Sequence, residues 1–160
     1  MVYGNYFENN KKWNFSFITV KFGKILAASF PLNCVRIFGI KLCGVEVGKQ
    51  VYIGPGFCLI MNNLRIKGRL VIGDRVSIAP HVTVVLDSNA NWSKLNDFIK
   101  PIKGKVIIMN DTWIGTRSVV LPNIILNEMS VVAAGSIVTK DVNSYSIVAG
   151  EPAKEIRKIL

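Results

Sequence analysis

One imidazole, His81, stands among 160 residues that also hold three thiols, Cys34, Cys43 and Cys58, and 20 Lys+Arg against 10 Asp+Glu. Imidazole changes charge near neutral pH and is the side chain most often used to move a proton, so a histidine-based catalyst has one candidate here. A single histidine excludes a metal centre built from several imidazoles of one chain, and no metal site is expected. The cysteines are odd in number, lack Cys-x-x-Cys spacing and stand among apolar neighbours. That predicts small core residues in a reducing compartment, not a disulfide framework. The formal net charge of +10 predicts attraction to something anionic: nucleic acid, an acidic membrane surface or a phosphorylated ligand. Nucleic acid is not expected, because no zinc-finger, helix-turn-helix or RNP-type run is present and the basic residues are spread out, not clustered with stacking aromatics.

The elements that must position these groups begin with the composition. Half of the residues are hydrophobic and 19% are charged, which excludes general disorder and suits one compact domain. Residues 1–44 carry six basic side chains and one acidic one, half of the excess charge on about a quarter of the chain. From Phe15 to Ile40 the pattern predicts one or two short amphipathic helices broken by Pro31. Such a basic segment either caps the core that follows or lies on an anionic membrane surface. The first apolar run follows Lys11 and Lys12 and is interrupted by Lys21 and Lys24, so no cleavable leader is expected. The run Ile25 to Val35, 11 residues, falls short of the ~20 that span a bilayer. The expected location is cytoplasmic, with peripheral membrane contact on the second reading.

From residue 45 onward an aliphatic residue recurs every six positions, at Ile60, Ile66, Ile72, Ile78 and Val84, then at Ile108, Ile114, Val120, Leu126, Val132 and Val138. The position four later holds Leu64, Leu70, Val76, Val82 and Ser88, then Thr112, Ser118, Ile124, Ser130, Ser136 and Val142. Neither a helix nor a simple strand has this period; a chain that turns a corner after each short strand does. Both positions then point inward. Pro55-Gly56, Asp74-Arg75, Pro80-His81, Asn110-Asp111, Pro122-Asn123 and Ala134-Gly135 fall at the corners. One extra residue is expected before Ile60, between that register and Val47 and Ile53. The repeat breaks in a loop at 86–105, and a long excursion from a regular solenoid is usually functional. Its Asn91, Trp92, Ser93, Lys94 and Asn96 suit sugar hydroxyls; ordinary loop polarity explains them equally. The tail YSIVAGEPAKEIRKIL predicts a turn and a short basic C-terminal helix over the open end.

The hexads together with NDTWIG, VVAAGSIVTKDV and VAGEPAKEIRKI closely resemble the hexapeptide-repeat acyltransferases, specifically the sugar and polysaccharide O-acetyltransferases related to galactoside and maltose acetyltransferases. The resemblance covers about residues 43–160. It implies an all-β fold, a left-handed parallel β-helix that is an exception to the right-handed crossover rule, and a homotrimer with active sites between subunits. It also implies acetyl-CoA as acyl donor and a saccharide, polysaccharide or lipid-linked precursor as acceptor. Residue by residue, Trp113 resembles the Trp lining the cofactor channel. Thr116 and Ala134, one coil apart, match positions whose small side chains admit the pantetheine arm, and Thr139 and Lys140 match the Thr-Lys beside the CoA end. Lys154 and Arg157, expected on the last helix, match basic positions near the nucleotide phosphates.

The resemblance breaks at the base that takes the acceptor's proton. The family's His falls at Asn89, and asparagine cannot accept a proton at neutral pH. His81 occupies a different corner of the same coil, where the family usually has Asn. Asp87, two residues from Asn89, is a second candidate, although an ordinary carboxylate is a weak base. A third reading is a catalytically defective trimeric scaffold that binds CoA or sugar. A carbonic anhydrase of the same fold would need several metal-binding histidines and is excluded.

Overall fold

The computed structural model describes residues 15–61 and 67–160. Alternation of short aliphatic strands with tight corners winds the chain into coils. The first holds β1 (Glu46–Val47), β2 (Tyr52–Ile53) and β3 (Cys58–Ile60), and the second β4 (Leu70–Ile72), β5 (Ser77–Ile78) and β6 (Thr83–Val85). A hairpin, β7 (Asp87–Ser88) and β8 (Ile102–Lys103), then leaves the stack. The third coil holds β9 (Val106–Ile108), β10 (Trp113–Ile114) and β11 (Val119–Val120), and the fourth β12 (Ile124–Leu126), β13 (Val131–Val132) and β14 (Ile137–Val138). Finally come β15 (Ser146–Ala149) and β16 (Lys154–Lys158).

Equivalent strands of successive coils pair in parallel and make three faces. The first face is β1-β4-β9-β12, the second β2-β5-β10-β13-β15-β16 and the third β3-β6-β11-β14. Inward columns such as Ile53, Ile78, Ile114 and Val132 are buried, as the hexad pattern requires. The second inward position is often Ser or Thr, whose hydroxyl serves a nearby carbonyl. Thr112 donates to Met109 O, Ser118 to Ala133 O and Ser146 to Asn143 O. At the corners Gln50, Arg75, His81, Asp111, Arg117, Asn123 and Met129 all adopt positive φ, so corner geometry overrides residue preference. Arg75 and Asp111, stacked at one corner, form a bidentate pair of 2.7 Å bonds that holds the Asp111 carboxyl below its ordinary range.

The hexad phase conceals two excursions. Ile53 to Leu59 takes six residues, but Leu59 to Ile72 takes 13 and Val84 to Ile108 takes 24. The second excess is a whole number of hexads, so the phase resumes unchanged. The first is one hexad plus one. Leu59 points inward and Ile60 outward, so the extra residue follows Leu59 and does not precede Ile60. The inward positions expected at Leu64 and Ile66 lie outside the described residues.

Two helices, α1 (Phe15–Ser29) and α2 (Asn33–Leu42), meet the expectation for the N-terminal segment and flank Pro31. They cross where Gly23 and Gly39 leave no room for a side chain; a Cβ on Gly39 would stand 2.6 Å from Gly23 O. Their turn is tied down by the buried Arg36, whose guanidinium donates to Phe30 O, Pro31 O and Ile53 O at 2.6–2.7 Å. Asn33 accepts from Ile53 N and Gly56 N donates to Ala28 O, so the hairpin satisfies open backbone groups of the first coil. The C-terminal helix is not formed. Residues Lys154–Lys158 make β16, antiparallel to β15, because the edge of β15 offers a backbone ladder that the strand can pair with.

Gly115 packs against the next coil, and a Cβ there would lie 2.4 Å from Ala134 N. Gly115→Ala is expected to destabilise the chain by about 1–3 kcal/mol, read as a lower urea midpoint at unchanged slope. Burial pushes the Cys43 thiol up to about 11, whereas Cys34 and Cys58 are exposed. Only the thiolate reacts, so at pH 8 a thiol reagent should label two cysteines of the native chain and the third only after unfolding.

Candidate functional site

The outward row of the second face runs Tyr52, Ser77, Trp113, Val131, Ile147 and Arg157, each paired with the next across the strands. Trp113 is 56% exposed, so its indole covers the face without being absorbed by it. Three strand spacings separate it from Arg157, about 14 Å. The β15–β16 pair carries a register shift at Ile147/Val148. Without that bulge Lys154 and Arg157, an odd number of residues apart, would point to opposite sides. With it they lie opposite Ala149 and Ile147, both outward, so both cations share the face of Trp113.

Thr116 and Ala134 stack at the corner between the second and third faces. Gly135 N donates to Thr116 O at 2.8 Å, and Thr116 Oγ1 donates to Pro80 O at 2.6 Å. Pro80 continues the column of Thr116 and Ala134, and His81 lies at the same corner in the next column, with Gly56, Arg117 and Gly135. His81 is exposed, its N–H donates to Pro55 O, and its ring stands over Gly56, where a Cβ would lie 2.2 Å from Nδ1. The ring of His81 thus leans toward the first coil while Thr116 stacks on its neighbour Pro80, and a whole strand, β6, separates His81 from the β7–β8 excursion. Thr139 and Lys140 are exposed after β14, at the corner between the third and first faces, on the same edge as the excursion.

Asp87 is 4% exposed and is not a free carboxylate. Arg69 Nη2 lies 2.5 Å from its Oδ1, and the same guanidinium donates to Leu86 O and Gly104 O. Arg69 thus binds both stems of the excursion, one strand on each side of its neck. Sequence reasoning missed this residue. The available signal was its spacing: Arg69 and Asp87 are 18 residues apart, one coil length, which places them on the same corner. Beyond the neck the polar side chains mostly fold the loop. Asn89 Oδ1 accepts from Asn91 N at 3.1 Å, Ser93 Oγ accepts from Leu95 N at 3.1 Å to start a short 3-10 turn, and Asn96 Nδ2 donates to Asn91 O. Trp92 and Lys94 project outward, as do Leu95, Phe98, Ile99 and Ile102. Among the described residues no cluster of three or more His, Cys, Asp or Glu could hold a metal ion.

The structure therefore gathers the predicted residues into four places: Trp113 with Lys154 and Arg157 on the second face, His81 with Thr116 and Ala134 at the adjoining corner, Thr139 and Lys140 at the corner between the third and first faces, and Asn89, Asp87 and residues 91–94 on the excursion. A face with a large aromatic and cations can hold an extended anionic molecule, and a corner with small side chains can admit its narrow part.

No protein-family model matches the chain. Galactoside O-acetyltransferase of Escherichia coli is 34% identical over 113 residues, which cover 70% of this chain and 56% of that protein. The chain spans little more than half the length of the first curated relatives it matches. A hexapeptide-repeat acetyltransferase of Vibrio cholerae, solved with acetyl coenzyme A, superposes with a TM-score of 0.70 at 20% identity, covering 95% of this chain and 91% of that one. A galactoside acetyltransferase solved with coenzyme A gives 0.62 at 22% identity, covering 91% and 80%. The winding is that of the left-handed parallel β-helix.

Breaking the neck should cost stability as well as loop order. Arg69→Met leaves the Asp87 charge buried without its guanidinium, and a loss of about 3 kcal/mol is expected by chemical denaturation. Arg69→Met combined with Asp87→Leu should recover much of that loss, since no charge then remains buried.

Proposed function

We propose that the chain is a hexapeptide-repeat acetyltransferase, a reading supported by its fold and by its 34% identity to galactoside O-acetyltransferase, and that it transfers an acetyl group from acetyl-CoA to a hydroxyl of a saccharide. The acceptor class extends to a polysaccharide or lipid-linked precursor, and a cytoplasmic location goes with this donor. The observation that carries the reading is the shared outward face of Trp113, Lys154 and Arg157, with Thr116 and Ala134 at its edge.

The donor supplies an activated thioester. The chain must hold it, admit the acceptor and move one proton. Lys154 and Arg157 offer charge-assisted hydrogen bonds to phosphates, Trp113 gives a flat apolar platform, and Thr116 and Ala134 keep the corner narrow enough for a thin arm to reach the backbone. Thr139 and Lys140 add a hydroxyl and a cation on the other edge. As the acceptor oxygen bonds to the thioester carbon, its proton passes to a base, the C–S bond breaks, and the thiol leaves with a proton.

We assign the base to His81. Asp87 is occupied by Arg69, and the Asn89 amide cannot take a proton, whereas the imidazole stands at the corner that holds Thr116 and Ala134, in the neighbouring column of Gly56, Arg117 and Gly135. In the proposed homotrimer the excursion of one chain meets the corner of the next, and Trp92 and Lys94 contact the sugar there. The exposed apolar side chains Leu95, Phe98 and Ile99 support a second chain at that loop. A second reading, a CoA- or sugar-binding scaffold without turnover, is favoured by one observation: Asn89 stands where the resemblance places a His.

Release of CoA from acetyl-CoA over a panel of sugars tests both readings. Turnover that falls by about 10²–10⁴ in His81→Ala, with unchanged thermal unfolding, is expected. Full activity of that variant removes His81 from the mechanism, and tight CoA binding with no turnover in the unaltered protein selects the scaffold. Trp113→Ala should raise KM for acetyl-CoA with little change in kcat.

A further inference from the structure

The helical hairpin that covers the first coil is apolar on two sides. Val20, Gly23 and Ala27 turn α1 toward α2 and the coil, and Val20 and Ala27 are buried there. At 3.6 residues per turn Ile18, Phe22 and Ile25 fall on the opposite side. They are 52%, 53% and 62% exposed. The outer face of a surface helix is ordinarily polar, and a helix that is apolar all round is covered by something. α2 repeats the arrangement: Arg36, Gly39 and Ile40 are buried, and Cys34, Phe38 and Lys41 are exposed opposite them.

The charge of this region identifies the covering material. Lys21 flanks the Ile18–Phe22–Ile25 stripe, with its ammonium 4.3 Å from the ring centroid of Phe17, and Lys41 lies on the outer side of α2. From Asn9 to Val45 the sequence contains six basic residues and no acidic one. A second copy of the same surface would bring lysines together with no carboxylate to pair them. A layer of acyl chains beneath anionic headgroups matches both features, taking the apolar side chains into the boundary and the ammonium groups to the phosphates. Among the described residues no helix is long and apolar enough to cross a membrane, so the hairpin would lie on the surface. It sits at the first-coil end, and the second face and the β7–β8 excursion stay open to solvent.

We propose that the outer face of the α1–α2 hairpin, with Ile18, Phe22, Ile25 and Phe38 as its apolar side chains and Lys21 and Lys41 as its cations, docks on an anionic lipid surface. The proposal is independent of acetyl transfer, and its test uses no activity. The full chain is sedimented with vesicles of phosphatidylcholine alone and of phosphatidylcholine with phosphatidylglycerol in equal amounts. It should pellet with the mixed vesicles, remain in solution with the neutral ones and be released by raised salt. Phe22→Ser with Ile25→Ser, and separately Lys21→Glu with Lys41→Glu, should each weaken pelleting at least about tenfold while thermal unfolding stays cooperative. Pelleting that is absent, or equal with both vesicles, overturns the proposal, as does a charge-reversed variant that binds like the parent. A Phe22→Ser, Ile25→Ser variant that keeps vesicle binding but loses mass in light scattering assigns the face to a second copy instead, and also overturns it.

Discussion

Backbone pairing along the stack is the constraint on which everything else in this molecule depends. Each strand donates and accepts only toward the coil above and the coil below, as Trp113 does with Ser77 and Val131. The corners obey the same rule: His81 N reaches back to Pro55 O, and Gly135 N to Thr116 O. A corner that must both turn and keep its pairing has one conformation open to it, which is why Arg, His, Asp and Met all take the left-handed region there. Side-chain columns follow from the pairing. The inward ones close a core of Ile, Leu and Val, and the outward ones become rulers with a spacing of about 4.8 Å.

Two departures from regularity build the candidate site. One is the bulge in the β15–β16 pair, which turns two basic residues at odd spacing to one side. The other is the excursion between the second and third coils, which can leave the stack because Arg69 closes its neck and Asp87 is buried against it. A carboxylate that looks available for proton transfer from its neighbours in the chain is in this way committed to holding a loop. The imidazole that looks misplaced beside the family pattern stands at the same corner as Thr116 and Ala134, one column over.

The hexads made the coils legible because each inward position is read twice, by the residue and by its equivalent 18 later, as Ile108 with Leu126 and Ile114 with Val132 illustrate. The helices were legible from the basic apolar texture and Pro31. The tail was misread: Ile156 and Ile159 have helical spacing, but spacing cannot register an unpaired strand edge waiting at β15. The first excursion escaped because its length differs from a hexad by one residue, so the phase after it looked like a single insertion. The Arg69–Asp87 pair was hidden for a related reason, since its partners become neighbours only once a full coil has closed between them.

Opposite ends of a parallel stack are complementary, and a coil that ends with open backbone groups invites the first coil of another molecule. Here the last strand reverses direction, and β16 presents Lys154, Glu155, Arg157 and Lys158 along its length. A newcomer arriving in parallel register would meet an antiparallel edge studded with charges that it would have to strip of water. At the other end the hairpin already occupies the groups such a newcomer would need. Filament growth, the ordinary hazard of a protein made of self-similar layers, is thus opposed on the second face by two different devices, β16 against β15 and the hairpin against the first coil.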